Sequence, residues 1–299
     1  MSSLPDPGET VVTWSSNLGA TVSLVLRIAL AIALLGVLAG SANAGTPLRK
    51  ETASSGDVKA TVSYQQLDAT HYAVSLKIVK DGKPAYNKAV PTSFAHTGPS
   101  QPLGLVGGAS TLELGDLDGD GVAEVLVNFY TGGAHCCNWT WAYHFNPKKL
   151  VWSRTAHIWG DPLYTLADLA HTNSLQLISA DDRFAYAFSS YAGSVLPVQV
   201  WVFKNGRFTD ATRTYGSEVS QDLEKNWHRF KTAQPGTALR PILAAWTADN
   251  CLAGGCNAAY ATVQSLASKL NGPADRRSGT VQSFLTKLKT SLMTWGYWK

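Results

Sequence analysis

Asp116, Asp118 and Asp120 stand two residues apart in the run Asp116-Leu117-Asp118-Gly119-Asp120-Gly121-Val122-Ala123-Glu124. Alternate acidic side chains in a tight turn point towards one spot, and like charges so placed repel one another unless a cation sits among them. Calcium suits such a set, because it is a hard ion that takes about six to eight oxygens. Glycine at 119 and 121 permits a sharp bend, which brings the Val122 carbonyl round as a further oxygen, and Glu124 supplies one more carboxylate. An EF-hand begins in the same way but needs a glutamate at its twelfth position and a helix beyond it. Here that position is Val127, and 124–130 (EVLVNFY) reads as a strand. The expected role is structural, with calcium pinning a loop.

The next chemical candidate is Thr131-Gly132-Gly133-Ala134-His135-Cys136-Cys137, directly after that strand. With Cys251 and Cys256 the chain has 4 cysteines, which allow three pairings. Gly254-Gly255 lets the chain fold back between Cys251 and Cys256, which favours a local bridge and leaves Cys136 to pair with its neighbour Cys137. The crossed pairings, which tie the β part to the helical part, stay open. Adjacent cysteines suit one tetrahedral zinc ion poorly, and a Cys-His catalytic pair needs a thiolate that an oxidising compartment removes. The loop reads as structural.

These residues need strands and turns to hold them. Alternation marks strands at 59–66, 72–79, 111–114, 124–130 and 139–145, then at 175–180, 184–190, 198–203 and 207–209. Asn205-Gly206 is a two-residue hairpin signal. The later set lies against 112–152 as a repeat of roughly 40 residues, the size of a propeller blade. In that alignment Ala180-Asp181-Asp182-Arg183 falls where the aspartate loop stands, without alternating carboxylates or glycines, so no calcium is expected there. From 217 the period changes, and helices are expected at 217–231, 238–250, 257–270 and 280–294. The divisions that follow are 1–44 as signal peptide, 45–58 as linker, 59–216 as β-rich domain with the calcium loop, and 217–299 as a helical C-terminal region. The fold class is mainly β, two blade-like antiparallel sheet units or a small sandwich with a helical C-terminal region, α+β overall.

The aspartate loop resembles the calcium loop of FG-GAP and VCBS repeats, D-x-D-x-D-G-x-x-D/E, found between strands of integrin-α-type propeller blades. The resemblance implies that Asp116, Asp118 and Asp120 ligate through their side chains, Val122 through its backbone, and that Glu124 closes the site. It is specific over the loop and loose over the surrounding unit, and it does not reach the helical region. It also implies a closed propeller, which requires at least about four blades. The sequence supports two units and a weaker third at 59–90, so a propeller-like fragment or a sandwich is expected.

Residues 28–40 form an unbroken apolar run behind Arg27, followed by Ala42 and Ala44 in an A-x-A arrangement. This pattern is that of a secretory signal peptide with cleavage after Ala44, and the run is short for a membrane span of about 20 residues. The expected location is secreted or extracytoplasmic, with membrane attachment only if 28–40 is retained.

The 299 residues are 45% hydrophobic and 15% charged, which excludes disorder as the main state. Net charge is +4 and the densest basic spots are only pairs, Lys148-Lys149 and Arg276-Arg277, so no nucleic-acid partner is expected. No G-x-S-x-G, H-E-x-x-H, Walker A or dinucleotide fingerprint occurs, and neither catalytic residues nor an organic cofactor are assigned. The expected function is an exported calcium-binding protein acting as a non-enzymatic binding or adhesion module at the cell envelope or outside the cell. Its partner would be an envelope polymer, a carbohydrate or a protein; Trp139, Trp141, Tyr143 and Trp201 are candidates for its face, with cross-strand packing the favoured reading of these aromatics. The alternative is an exported hydrolase of envelope polymers with a structural calcium loop, using His135, Glu113 or Asp161 as acid or base. Retention of 28–40 would instead favour a membrane-tethered assembly protein.

Overall fold

The computed structural model describes residues 46–107, 109–134 and 136–299. The expected signal segment and His135 lie outside the described residues.

Three antiparallel sheets follow one another along the chain. The first is a meander of β1 (Arg49–Ser55), β2 (Val58–Gln66), β3 (Tyr72–Lys80) and β4 (Lys83–Ala89). The second contains β5 (Gln101–Pro102), β6 (Leu112–Gly115), β7 (Glu124–Tyr130), β8 (Asn138–Asn146) and β9 (Val151–Gly160), with β5 and β6 both pairing β7. The third is a meander of β10 (Thr165–Ala167), β11 (Gln176–Ala180), β12 (Val198–Lys204) and β13 (Arg207–Asp210). The mainly β, α+β class read from the sequence is the class observed.

Side-chain alternation stacks the sheets. Val58, Ala60, Val62 and Tyr64 of β2 and Val74, Leu76 and Ile78 of β3 face one way and are buried. They meet Val125, Val127 and Phe129 of β7 and Trp139, Trp141 and Tyr143 of β8 in one core. The opposite faces of β7 and β8, Leu126 and Ala142, form a second core with Trp159, Tyr164, Leu177 and Phe203. The middle sheet is thus covered on both faces, which is why β7 is apolar almost throughout instead of alternating with polar residues.

Two expectations change here. Residues 49–55 form β1, paired with β2 from Arg49↔Tyr64 to Ser55↔Val58, where a linker was expected over 45–58. The segment is an exposed edge strand, so its polar composition resembles that of a linker. Residues 184–190 are not a strand: Asp182–Phe184 is a single 3₁₀ turn, and Tyr186 has φ 58°. The alternating aromatics of FAYAFSS instead send Phe184 and Phe188 into the helical core.

That core is built by α1 (Gly216–Lys231), α2 (Arg240–Leu252), α3 (Cys256–Ser265), α4 (Pro273–Arg276) and α5 (Val281–Thr294). Ile242, Leu243, Ala244, Ala245, Trp246, Thr247, Ala248 and Asp249 of α2 are all buried, so α2 is the central helix. Thr280 caps α5 by accepting from Ser283 N at 3.1 Å. The helices join the third sheet through Asp222 of α1, which accepts from Val198 N of β12 at 3.0 Å. Residues 45–299 form one compact unit, so the boundary expected at 216–217 marks a change of secondary structure rather than a separate body.

Candidate metal centre

The β6–β7 hairpin closes on the pair Gly115↔Glu124, and the loop between them carries the aspartates. Asp116 organises the bend, with Oδ1 accepting from Gly119 N at 2.7 Å and Oδ2 from Gly121 N at 2.9 Å. Gly119 and Gly121 have φ of 78° and 86°, the left-handed conformation that glycine takes without strain. Asp118 and Asp120 accept in turn from Asp120 N at 3.2 Å and Val122 N at 2.8 Å.

Asp116, Asp118 and Asp120 each bring a carboxylate oxygen within 4.8 Å of the other two. Glu124 lies buried beneath the loop, its Oε2 accepting from Leu117 N at 2.8 Å. Burial pushes its carboxyl up to about 8, and the neighbouring aspartates add to the rise. Asp118 is raised as well, by burial and then by Asp120. Carboxyls held this way resist ionising together unless a cation offsets them, so the donor set fits a hard divalent ion. Val122 packs its side chain on the first core while its amide serves Asp120.

The loop forms one wall of a cleft of about 470 Å³. Its lining includes Asp118 and Asp120 together with Lys148, Lys204, His144 and the Asn205-Gly206 turn. Burial lowers His144, although Asp118 and Asp120 pull the other way. Asn205 and Gly206, with φ of 53° and 71°, join β12 to β13 as the hairpin signal predicted.

The third sheet contains a second copy of the loop, at a position the sequence alignment missed. The β10–β11 hairpin closes on Ala167↔Gln176, so 168–176 matches 116–124 position for position. Asp168 accepts from Thr172 N and Asn173 N, each at 3.0 Å. Leu169 N donates to Gln176 Oε1 at 2.8 Å, as Leu117 N does to Glu124. Positive φ recurs at His171 (55°) and Asn173 (63°), in place of Gly119 and Gly121. The charge does not recur: Ala170, Thr172 and Gln176 replace Asp118, Asp120 and Glu124. Ala180-Asp181-Asp182-Arg183, the expected counterpart, does other work. Asp181 pairs with Arg183 at 2.6 Å and accepts from Tyr297 Oη at 2.8 Å, while Asp182 accepts from Asp161 N at 3.0 Å. The Asx and Asn signals of 168–176 were readable, but without acidic alternation they did not single it out.

The cysteines pair locally, Cys136 with Cys137 and Cys251 with Cys256. Thr131 braces the first bridge, donating from Oγ1 to Cys136 O at 2.7 Å and accepting from Cys137 N at 2.6 Å. Glu113 lies in the packing between sheets, raised by burial and hydrogen-bonded to Tyr164. Tyr164 Oη in turn donates to Asn128 Oδ1 at 2.9 Å. Asp161 instead has Tyr191 as its side-chain partner, so the structure gives the two acids different surroundings. Trp139, Trp141 and Tyr143 are buried against the first sheet, and Trp201 is half-buried against His157. Trp139, Trp141 and Tyr143 offer no exposed face, because β8 is an inner strand and these alternate residues point into the first core, while Trp201 of β12 packs against the second.

Compared with curated proteins, the chain is 30% identical over 233 residues to a protein of Synechocystis sp. described as a probable thylakoid lumen protein. The match takes in 74% of this chain and 64% of that protein, so it spans under two thirds of the relative's length. No family model matches the chain. No solved structure matches it. The FG-GAP and VCBS resemblance therefore rests on the sequence of the aspartate loop and its surrounding unit, and the comparisons add nothing to it. No helix among the described residues is long and apolar enough to cross a membrane.

Proposed function

We propose that the chain is a calcium-binding module of an extracytoplasmic compartment, which binds its partner without catalysing a reaction. The observation that carries this reading is the contrast between the two loops. The same hairpin geometry holds four carboxyl groups at 116–124 and a single one at 168–176. Since the neutral copy folds the same way, the extra acids at 118, 120 and 124 are not needed to make the turn. They cost electrostatic energy as isolated charges, and a divalent cation offsets that cost.

Asp116, Asp118, Asp120, Glu124 and the Val122 carbonyl would hold the ion, which supplies charge and rigidity to one wall of the cleft. Lys148 and Lys204 in the lining of the same cleft favour a partner bearing both hydroxyl or carbonyl oxygens for the ion and negative charge for the ammonium groups. An acidic carbohydrate or an anionic envelope polymer has that chemistry, and so does an acidic protein segment. The relative from the thylakoid lumen and the paired cysteines support an extracytoplasmic, oxidising location.

The test is a thermal melt of the purified chain in excess calcium and in excess chelator. A ligand specific to the folded state adds about 2.7 kcal/mol at a hundredfold excess over Kd. The upward shift is expected to vanish in Asp118→Ala, and equal melting temperatures for the parent chain in calcium and chelator would overturn the reading.

A further inference from the structure

Arg240 opens α2 and is fully buried, yet no carboxylate stands within ion-pair distance of it among the described residues. Its Nε donates to Leu270 O at 3.1 Å and its Nη1 to Gly279 O at 2.8 Å. Nη2 has no partner among the described residues. Asp275 lies near but is engaged elsewhere, capping α2 by accepting from Leu239 N and Arg240 N, each with a 3.0 Å contact. Its side-chain hydrogen bonds reach only neutral carbonyls, and burial outweighs the pull of the nearby Asp275 charge, so the cation is incompletely compensated, a costly arrangement.

Arg240 also lines a cavity of about 260 Å³, with Ser189, Ser278, Ser283, Phe284 and Lys287. No acidic side chain is part of that lining. Lys287 adds a second cation, its Nζ 5.8 Å from the centre of the Phe188 ring. Ser283 lies in the first turn of α5, so the positive end of a 14-residue helix acts in the same sense. The volume is just below the roughly 300–1,000 Å³ of sites for larger organic ligands, which restricts the occupant to something compact.

We propose that this cavity binds a phosphate or sulfate group, held between the Arg240 guanidinium and the Lys287 ammonium at the start of α5. The free anion and a small phosphate monoester share this chemistry. The site lies in the helical region and does not depend on the calcium loop.

Calorimetric titration of the full chain with inorganic phosphate, sulfate and glycerol phosphate, at an ionic strength fixed with chloride, tests it. One saturable site is expected, weakened about tenfold or more in Lys287→Ala. Tighter binding of glycerol phosphate than of phosphate would support the site and assign a monoester to it, and equal binding would support it for the free ion. Arg240→Met risks unfolding the helical core, so Ser283→Asp is the second variant. Its carboxylate would occupy the anion's place, abolish phosphate binding and raise the melting temperature in phosphate-free buffer. That rise should exceed the one in Gln282→Asp, a first-turn control outside the cavity lining. Absence of saturable binding, or equal affinity in the parent chain, Lys287→Ala and Ser283→Asp, would overturn the assignment.

Discussion

Loops 116–124 and 168–176 share a closing pair, a first-position aspartate gripping two amides, two left-handed positions and a buried side chain receiving a leucine amide. They differ in charge and in how left-handed backbone is obtained: glycine in one, histidine and asparagine in the other. The comparison separates two jobs that a metal loop combines. In both loops one aspartate gathers two amides; in 116–124 Asp118, Asp120 and Glu124 take one amide each as well, and on the proposed reading a cation offsets their added charge. The copies also touch, Leu175 N donating to Asp116 O at 2.8 Å, so the neutral loop braces the acidic one.

The sharpest way to break the comparison is at its buried end. Glu124 is raised to about 8 from an ordinary 4.5. Between those values the folded chain keeps a proton that the unfolded chain has lost, so cation-free stability falls as pH rises from 4.5 to 8. At 1.36 kcal/mol per unit, reduced for residual solvent screening, the loss is about 3 kcal/mol. Glu124→Gln, which copies Gln176, is expected to remove most of that slope in denaturant titrations run with chelator. A slope unchanged by the substitution would place the titrating group elsewhere.

Grafting acids onto the neutral copy tests the same contrast in reverse. Ala170→Asp, Thr172→Asp and Gln176→Glu together, with glycine at 171 and 173, should raise calcium stoichiometry from one to two. The added stabilisation would approach about 2.7 kcal/mol at a hundredfold excess over the new Kd, read by calorimetry and melting. A smaller effect separates turn from ligand. Asp168→Ala loses two amide hydrogen bonds and should cost about 1–2 kcal/mol with calcium affinity unchanged, whereas Asp116→Ala should lose both. The smallest concerns the backbone: Gly121→Asn, which copies Asn173, should cost under about 1 kcal/mol in melting experiments, and Gly121→Val more, because a β-branched residue resists positive φ.

The acidic loop was legible because repulsion makes alternate aspartates improbable without a cause. Its copy was not, since Asp168, Asn173 and Gln176 are ordinary turn residues one by one, and only the hairpin register shows that they match. In the middle and third sheets β6, β7, β8, β11, β12 and β13 were read from alternation and from Asn205-Gly206, whereas β5, β9 and β10 were not. Edge strand β1 escaped notice because exposure on the sheet rim removes the apolar signal. Phe184 and Phe188 misled in the opposite direction: two-residue spacing through Tyr186 imitates a strand, while Tyr186 itself is in a left-handed conformation that no regular strand contains. Local pattern cannot tell a ladder partner from an anchor to a distant helix.

Those two phenylalanines set the mechanical character of the chain. They are carried on the connection between β11 and β12 but are held by α2, α5 and Trp295. A cut after Asp210 would leave their sockets in the helices empty and their rings exposed on the sheets, so neither fragment would keep a sealed interior. Sheets and helices are expected to be lost together under heat or force, and the helical region could not be exchanged as an independent cassette without carrying 184–188 along with it.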